Sequence, residues 1–168
     1  MNALAPVRLV LDTNVVIDWL VFDDPFMAPL REGVSAGLVE VLTHADLVDE
    51  LARVLGYKSL SLSPERQVAI HARYLAQTRI PPLPEGFGRR NLMLPGGFPR
   101  CRDRDDEVFL ALAFHARADW LASRDNAVLG LKKRLEAFRL KVLNVSQTIA
   151  ALAERLESMS GDQHEAAP

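Results

Sequence analysis

The apolar run Val7–Leu11, cut off at once by Asp12-Thr13-Asn14, constrains this chain more than any other stretch. From Arg8 to Leu11 it is short, branched and leucine-rich, without polar alternation. Such runs suit a parallel strand covered on both faces. The residues after it have helical apolar spacing. Asp12 therefore stands where a buried strand stops and a helix starts. Open α/β sheets bind their ligands there, outside the carboxyl ends of the strands.

The same alternation continues along the chain. Residues 14–21 predict a first helix, ended by Asp23-Asp24-Pro25 because proline disfavours helix in the residue before it. A second short helix is expected over 26–36, ending near Gly37, and a second strand over 38–43. Ala45–Leu55 reads as a helix with Leu47, Val48, Leu51, Val54 and Leu55 on its apolar face and Gly56 at its end. Ser63 and Pro64 suit a cap and first position for a helix reaching about Arg79, stopped by Pro81-Pro82. Residues 83–104 are rich in Pro, Gly and Arg and read as a long loop. Residues 105–117 predict a helix apolar almost all round, hence buried. A strand over 119–123, a helix over 126–138 and a last strand over 140–143 follow. Ser146 is the expected cap of a final helix to Leu156, and 158–168 reads as a disordered polar tail.

Strands alternating with helices imply an α/β fold with a mostly parallel sheet. The length of 168 residues fits one domain, placed at 1–157, and 49% hydrophobic content supports a globular core. A single cysteine, Cys101, excludes an intrachain disulfide framework and suits a reducing compartment. No apolar stretch approaches the length of a membrane span, and residues 1–6 lack a signal-peptide pattern. A cytoplasmic protein without a membrane partner is the expectation. The net charge of −2 gives no general affinity for nucleic acid, which leaves only local patches to provide it.

Three further acids occupy positions comparable to Asp12. Glu50 lies on the border of the apolar face of the helix after the second strand, while Asp46, Asp49 and Arg53 fall towards solvent. Asp106 opens the most apolar helix and shares its stripe with Leu110 and Ala113, unlike Asp105 or Glu107. Asp125 follows the strand ending Leu121-Ala122-Ser123 and repeats the geometry of Asp12. Each acid alone is explained as well by a helix cap or a favourable place beside a helix dipole. Together, on one sheet edge, they repel one another unless a cation neutralises them. All-oxygen donors suit Mg²⁺ or Mn²⁺, and the matching chemistry is phosphodiester hydrolysis. His44, His71, His115 and His164 are scattered, with no ligand spacing for zinc. His44 reads as a strand-end polar residue, His71 and His115 as helix-surface residues. A phospho-receiver needs an acidic pair at the first strand, and a haloacid-dehalogenase-type phosphatase needs an Asp where Asn14 stands; neither is present.

Several segments in this order resemble the PIN domain family, and within it the branch of VapC-like toxins of toxin–antitoxin systems. They are Val10 to Val15, Asp49-Glu50-Leu51, Cys101 to Ala113 with Asp105-Asp106, and Ala118 to Asp125. The resemblance spans Arg8 to about Leu156. It implies a three-layer α/β/α sandwich and a metal-dependent endoribonuclease using Mg²⁺ or Mn²⁺. The family's four acids fall on Asp12, Glu50, Asp106 and Asp125, as catalytic and metal-binding residues. Asn14, Ser123 and Asp105 fall where neighbouring polar residues hold those carboxylates in place. Arg104 replaces the proline common in this branch, and Ser123-Arg124-Asp125 replaces its usual Ser-Gly-Asp or Thr-Gly-Asp. Neither departure removes a carboxylate.

The resemblance further implies an RNA substrate and a cognate antitoxin protein. Arg89, Arg90, Arg100, Arg102 and Arg104 cluster before Asp106; of these, Arg100, Arg102 and Arg104 are the expected RNA contacts, with a solvated loop as the plain alternative. Lys132, Lys133 and Arg134 read as a solvated helix face. Trp19, Phe22 and Phe26 are the apolar candidates for an antitoxin or homodimer contact, or for the core. Two other roles stay open: a non-catalytic binding module on this fold, and an RNA-processing nuclease that is no toxin.

Overall fold

A computed structural model describes residues 5–164. Five strands form one all-parallel sheet: β1 (Val7–Leu11), β2 (Val39–Leu42), β3 (Thr78–Arg79), β4 (Trp120–Ala122) and β5 (Lys141–Leu143). Their order is β3-β2-β1-β4-β5. The chain moves outward from β1 to β2 and β3, then returns to add β4 on the other side of β1. That reversal makes the carboxyl ends of β1 and β4 a topological switch point, the place where open α/β sheets bind their ligands. Leu11 pairs with Ala122 there, and the Asp12 N–H extends the ladder to the Ala122 carbonyl at 3.0 Å.

Side chains along a strand alternate between faces, and β1 divides its residues accordingly. Leu9 and Leu11 enter one core with α1 (Thr13–Leu20), α2 (Ala28–Ser35) and α8 (Val145–His164). Leu51 and Leu55 of α3 (Ala45–Leu55) and Ile70 and Tyr74 of α4 (Pro64–Gln77) join the same core. Val10 enters the other core, with α5 (Glu107–His115), α6 (Asn126–Leu129) and α7 (Lys132–Leu135). The result is the expected three-layer sandwich with β1 at its centre.

The elements differ from expectation at their ends. The expected helix over 26–36 splits into a 3-10 turn, Pro25–Met27, and α2. The helix from Ser63 stops at Gln77, because Thr78 and Arg79 leave it to pair with Val41 and Leu42 as edge strand β3. Two residues carry no periodicity, so this strand left no trace in the pattern. The helix expected over 126–138 breaks at Gly130 into α6, α7 and a 3-10 turn, Glu136–Phe138. Asn144, rather than Ser146, caps α8: its Oδ1 accepts from the Gln147 N–H at 2.8 Å, and Gln147 Oε1 accepts from the Asn144 N–H at 3.1 Å. That helix runs on to His164, so 158–164 of the expected disordered tail is helical; 165–168 lies outside the described residues.

The long loop is no loose linker. Phe87, Phe98 and Cys101 are buried in the second core, and Phe98 packs against Phe114 and Phe138. His115 is not a plain surface residue, since Nε2 lies 2.9 Å from the Leu92 carbonyl and its ring meets Phe87 and Phe114 edge-on. Trp19 is fully buried and so is core, whereas Phe22 and Phe26 are exposed. Among the described residues, no helix is long and apolar enough to cross a membrane.

Candidate functional site

Asp12 caps α1, where its extended backbone lets Oδ1 accept from the Asn14 N–H at 2.7 Å. Its carboxyl is buried at 7% exposure, yet Oδ2 accepts from Ser123 Oγ at 2.6 Å and from the Arg124 N–H at 3.3 Å. Ser123 is fully buried and works in both directions, since Oγ also accepts from the Asp125 N–H at 3.0 Å. One hydroxyl thus ties the ends of β1 and β4 together. Asp125 caps α6, with Oδ1 accepting from the Ala127 N–H at 2.6 Å. The cap explanations for Asp12 and Asp125 are therefore true, but each cap occupies only Oδ1.

Glu50, on α3, accepts from Thr13 Oγ1 at 2.7 Å and forms an ion pair with Arg89. Asp106 is different. It stands at the start of α5 without making a capping bond, and its Oδ2 is buried with no hydrogen-bond partner. Burial pushes its carboxyl up to about 6, and the charges of Asp125, Asp103, Asp12 and Glu50 push the same way. The charges of Asp12, Glu50 and Asp125, the other three acids predicted from sequence, are thus among those that bear on Asp106.

The neighbouring polar residues sort less simply. Ser123 holds Asp12 as expected. Asn14 contributes its backbone N–H, while its side chain is exposed. Asp105 holds no carboxylate: its side chain is 89% exposed, and its carbonyl and carboxylate receive Arg89 at 3.1 and 3.6 Å. Glu107 is not a solvent-facing alternative to Asp106. It is 3% exposed and accepts bidentately from Arg100, at 2.6 and 2.8 Å, and from the Cys101 N–H. The Arg100 hydrogen bonds hold its carboxyl below the usual value against the opposing effect of burial. Of the expected RNA contacts, Arg100 grips Glu107 with its fork while its side chain stays largely exposed, and Arg102 and Arg104 are exposed.

Several participants escaped the sequence reading. Thr13 orients Glu50. Asp46, expected towards solvent, is half-buried and accepts from the Arg89 N–H at 2.6 Å. Asp18 is buried one α1 turn beyond the site, paired with Arg124 at 2.7 Å. Burial raises its carboxyl, Arg124 opposes that, and Asp24 and Asp12 add to it. Asp18 was the one acid on an otherwise apolar helix face, which was the available signal.

Among the described residues, no three His, Cys, Asp or Glu side chains stand as a ready-made metal cluster. Arg89 holds Glu50, while Ser123 and the Arg124 N–H hold Asp12. The donor set still fits a hard divalent cation, being all carboxylate, mutually repulsive and holding one buried oxygen without a partner. A larger cavity, about 730 Å³, lies at the amino end of β4 beside Arg117 and Asp119 and contains none of the four acids.

A family model described as PIN domain matches residues 8–127, which include all four acids. No curated protein and no solved structure matches the chain.

Proposed function

The chain belongs to the PIN domain family, and from that premise we propose that it is a Mg²⁺- or Mn²⁺-dependent endoribonuclease. The family's fold is of nuclease type and generally works with divalent ions. The observation that carries the reading for this chain is Asp106: a half-buried carboxyl whose buried Oδ2 has no partner, raised first by burial and then by the charges of Asp125, Asp103, Asp12 and Glu50.

In this reading Asp12, Glu50, Asp106 and Asp125 hold the cation. When bound, it supplies an activated water and offsets charge developing on the phosphate. The rest is done by the chain itself. Ser123 fixes the Asp12 carboxylate by donating to Oδ2, and its own orientation is fixed by the Asp125 N–H. Thr13 sets Glu50. Arg102 and Arg104, exposed on the rim, meet backbone phosphates without reading sequence.

Cleavage of a mixed RNA pool tests the proposal. Activity with Mn²⁺ should disappear with EDTA and with Asp12→Asn, which keeps the α1 cap. Activity surviving both would remove these acids from the chemistry. A non-catalytic module on the same fold is the second reading, favoured by Arg89 occupying Glu50; it predicts no cleavage of any RNA. A role as the toxin of a toxin–antitoxin pair rests on the motif resemblance. Growth arrest relieved by the product of an adjacent small reading frame tests that role, and harmless overexpression favours RNA processing.

A further inference from the structure

Arg89 is anchored through both its backbone and its side chain. Gly88 and Asn91 close a tight turn by pairing with each other, and Arg89 and Arg90 form its tip. The turn lies against α3, where Asp46 and Glu50 are spaced four residues apart and so share a face. Asp46 grips the Arg89 backbone N–H, and Glu50 takes the guanidinium. A Cβ at Gly88 would sit 3.1 Å from Asp46 Oδ2, so glycine allows the close approach. The carbonyl of Asp105, next to Asp106, receives the other arm of the fork. Arg89 thus spans from one acid-bearing helix to the start of the other.

Two cavities meet at this side chain. One, about 420 Å³, is lined by Asp46, Asp49, Glu50 and Asp105; the other, about 460 Å³, by Arg90, Arg100 and Arg104. Arg89 lines both. Open space therefore lies on both sides of its stem, while its backbone is held by Asp46.

Resting on the reading of the four acids as a cation site, we propose that Arg89 is the site's built-in counter-cation. It neutralises Glu50 while no divalent ion is bound, and it must be displaced when one binds. A guanidinium and a divalent ion at Glu50 compete for the same oxygens. The arrangement keeps four mutually repelling acids together in the absence of metal and makes metal binding weaker than the acids alone would give. Arg89 is in this sense a positioning residue that acts through Glu50.

Calorimetric titration with Mn²⁺ of the full chain, of Arg89→Ala and of Arg89→Lys tests this. Arg89→Ala keeps the backbone bond to Asp46 and should bind Mn²⁺ on the order of tenfold more tightly than the unaltered chain. Arg89→Lys, which keeps a charge without the fork, should fall between. Tightening on removal of a side chain is a sign that a merely structural role does not produce. If Arg89→Ala does not fold, Arg89→Gln, neutral but able to hydrogen-bond, carries the same expectation. Equal or weaker Mn²⁺ binding by the neutral variants, with binding by the unaltered chain intact, overturns the counter-cation and leaves the nuclease reading standing. Absence of Mn²⁺ binding in every protein overturns both.

Discussion

Replacing Asp106 by asparagine should stabilise the metal-free protein, and by an amount that depends on pH. The carboxyl is raised from 3.8 to about 6, chiefly by burial and secondarily by the neighbouring acids. A difference of this size corresponds to about 3 kcal/mol of penalty on the charged form. Asp106 is only half-buried, so solvent screening reduces that to roughly 1–2 kcal/mol. The sign follows from which form is disfavoured. Below 3.8 the carboxyl is neutral in both folded and unfolded chains and costs nothing. As pH rises through about 6 the folded protein must charge it against its surroundings, and above that the penalty is complete. Asparagine never incurs it. For a chain of this size, roughly 2–4 °C accompany each kcal/mol, so Asp106→Asn should melt roughly 2–8 °C higher than the unaltered chain at pH 8 in EDTA. The gap should close by pH 4. Thermal unfolding by circular dichroism across that range measures it. Saturating Mn²⁺ should reverse the order, since ligand binding stabilises only the protein that keeps its full site. A variant no more stable at pH 8, or a gap unchanged between pH 4 and 8, would refute the idea that the folded protein disfavours a charged Asp106.

Ser123→Ala should be costly for so small a change. It removes the 2.6 Å bond to Asp12 Oδ2 and leaves the part-buried Asp125 N–H without its acceptor. A loss of roughly 2–3 kcal/mol is expected, read as a drop of roughly 4–12 °C in melting temperature, with cleavage falling alongside. Glu107→Gln should cost about 1–2 kcal/mol by weakening the bidentate bond to Arg100. Because Arg100 holds the Glu107 carboxyl below its usual 4.5, this contribution is complete above 4.5 and fades as pH falls through the lowered value. Denaturant unfolding at pH 7 and pH 3 should therefore show a difference at the first and little at the second.

Much of this arrangement was readable because it is written locally. Val7–Leu11 followed by Asp12, and Trp120–Ala122 followed by Ser123 and Asp125, each mark a strand end by an abrupt change from apolar to acidic. Asp106 was separated from Asp105 and Glu107 by helical phase alone; Asp105 is exposed and Asp106 Oδ2 is buried, but Glu107 is the more buried residue of the two on the helix. The phase argument stopped short at Glu107, whose burial depends on Arg100, seven residues back along a loop. Arg89 was out of reach for the same reason. Its place beside Glu50 is set by a contact across 39 residues, made through a two-residue turn that no periodicity announces. Strand β3 went unseen because its two residues are ordered by β2 rather than by their own pattern. What sequence pattern conveys is which face a residue takes on its own element; which distant loop covers that face is decided by packing.

Anomalous scattering from crystals grown with Mn²⁺ decides whether four acids from two strand ends and two helices hold one divalent site. A manganese peak is expected, bounded by the carboxylates of Asp12, Glu50, Asp106 and Asp125, with Arg89 moved off Glu50. A well-ordered crystal at saturating Mn²⁺ with no peak among those four carboxylates, or with manganese only elsewhere on the surface, would contradict that expectation.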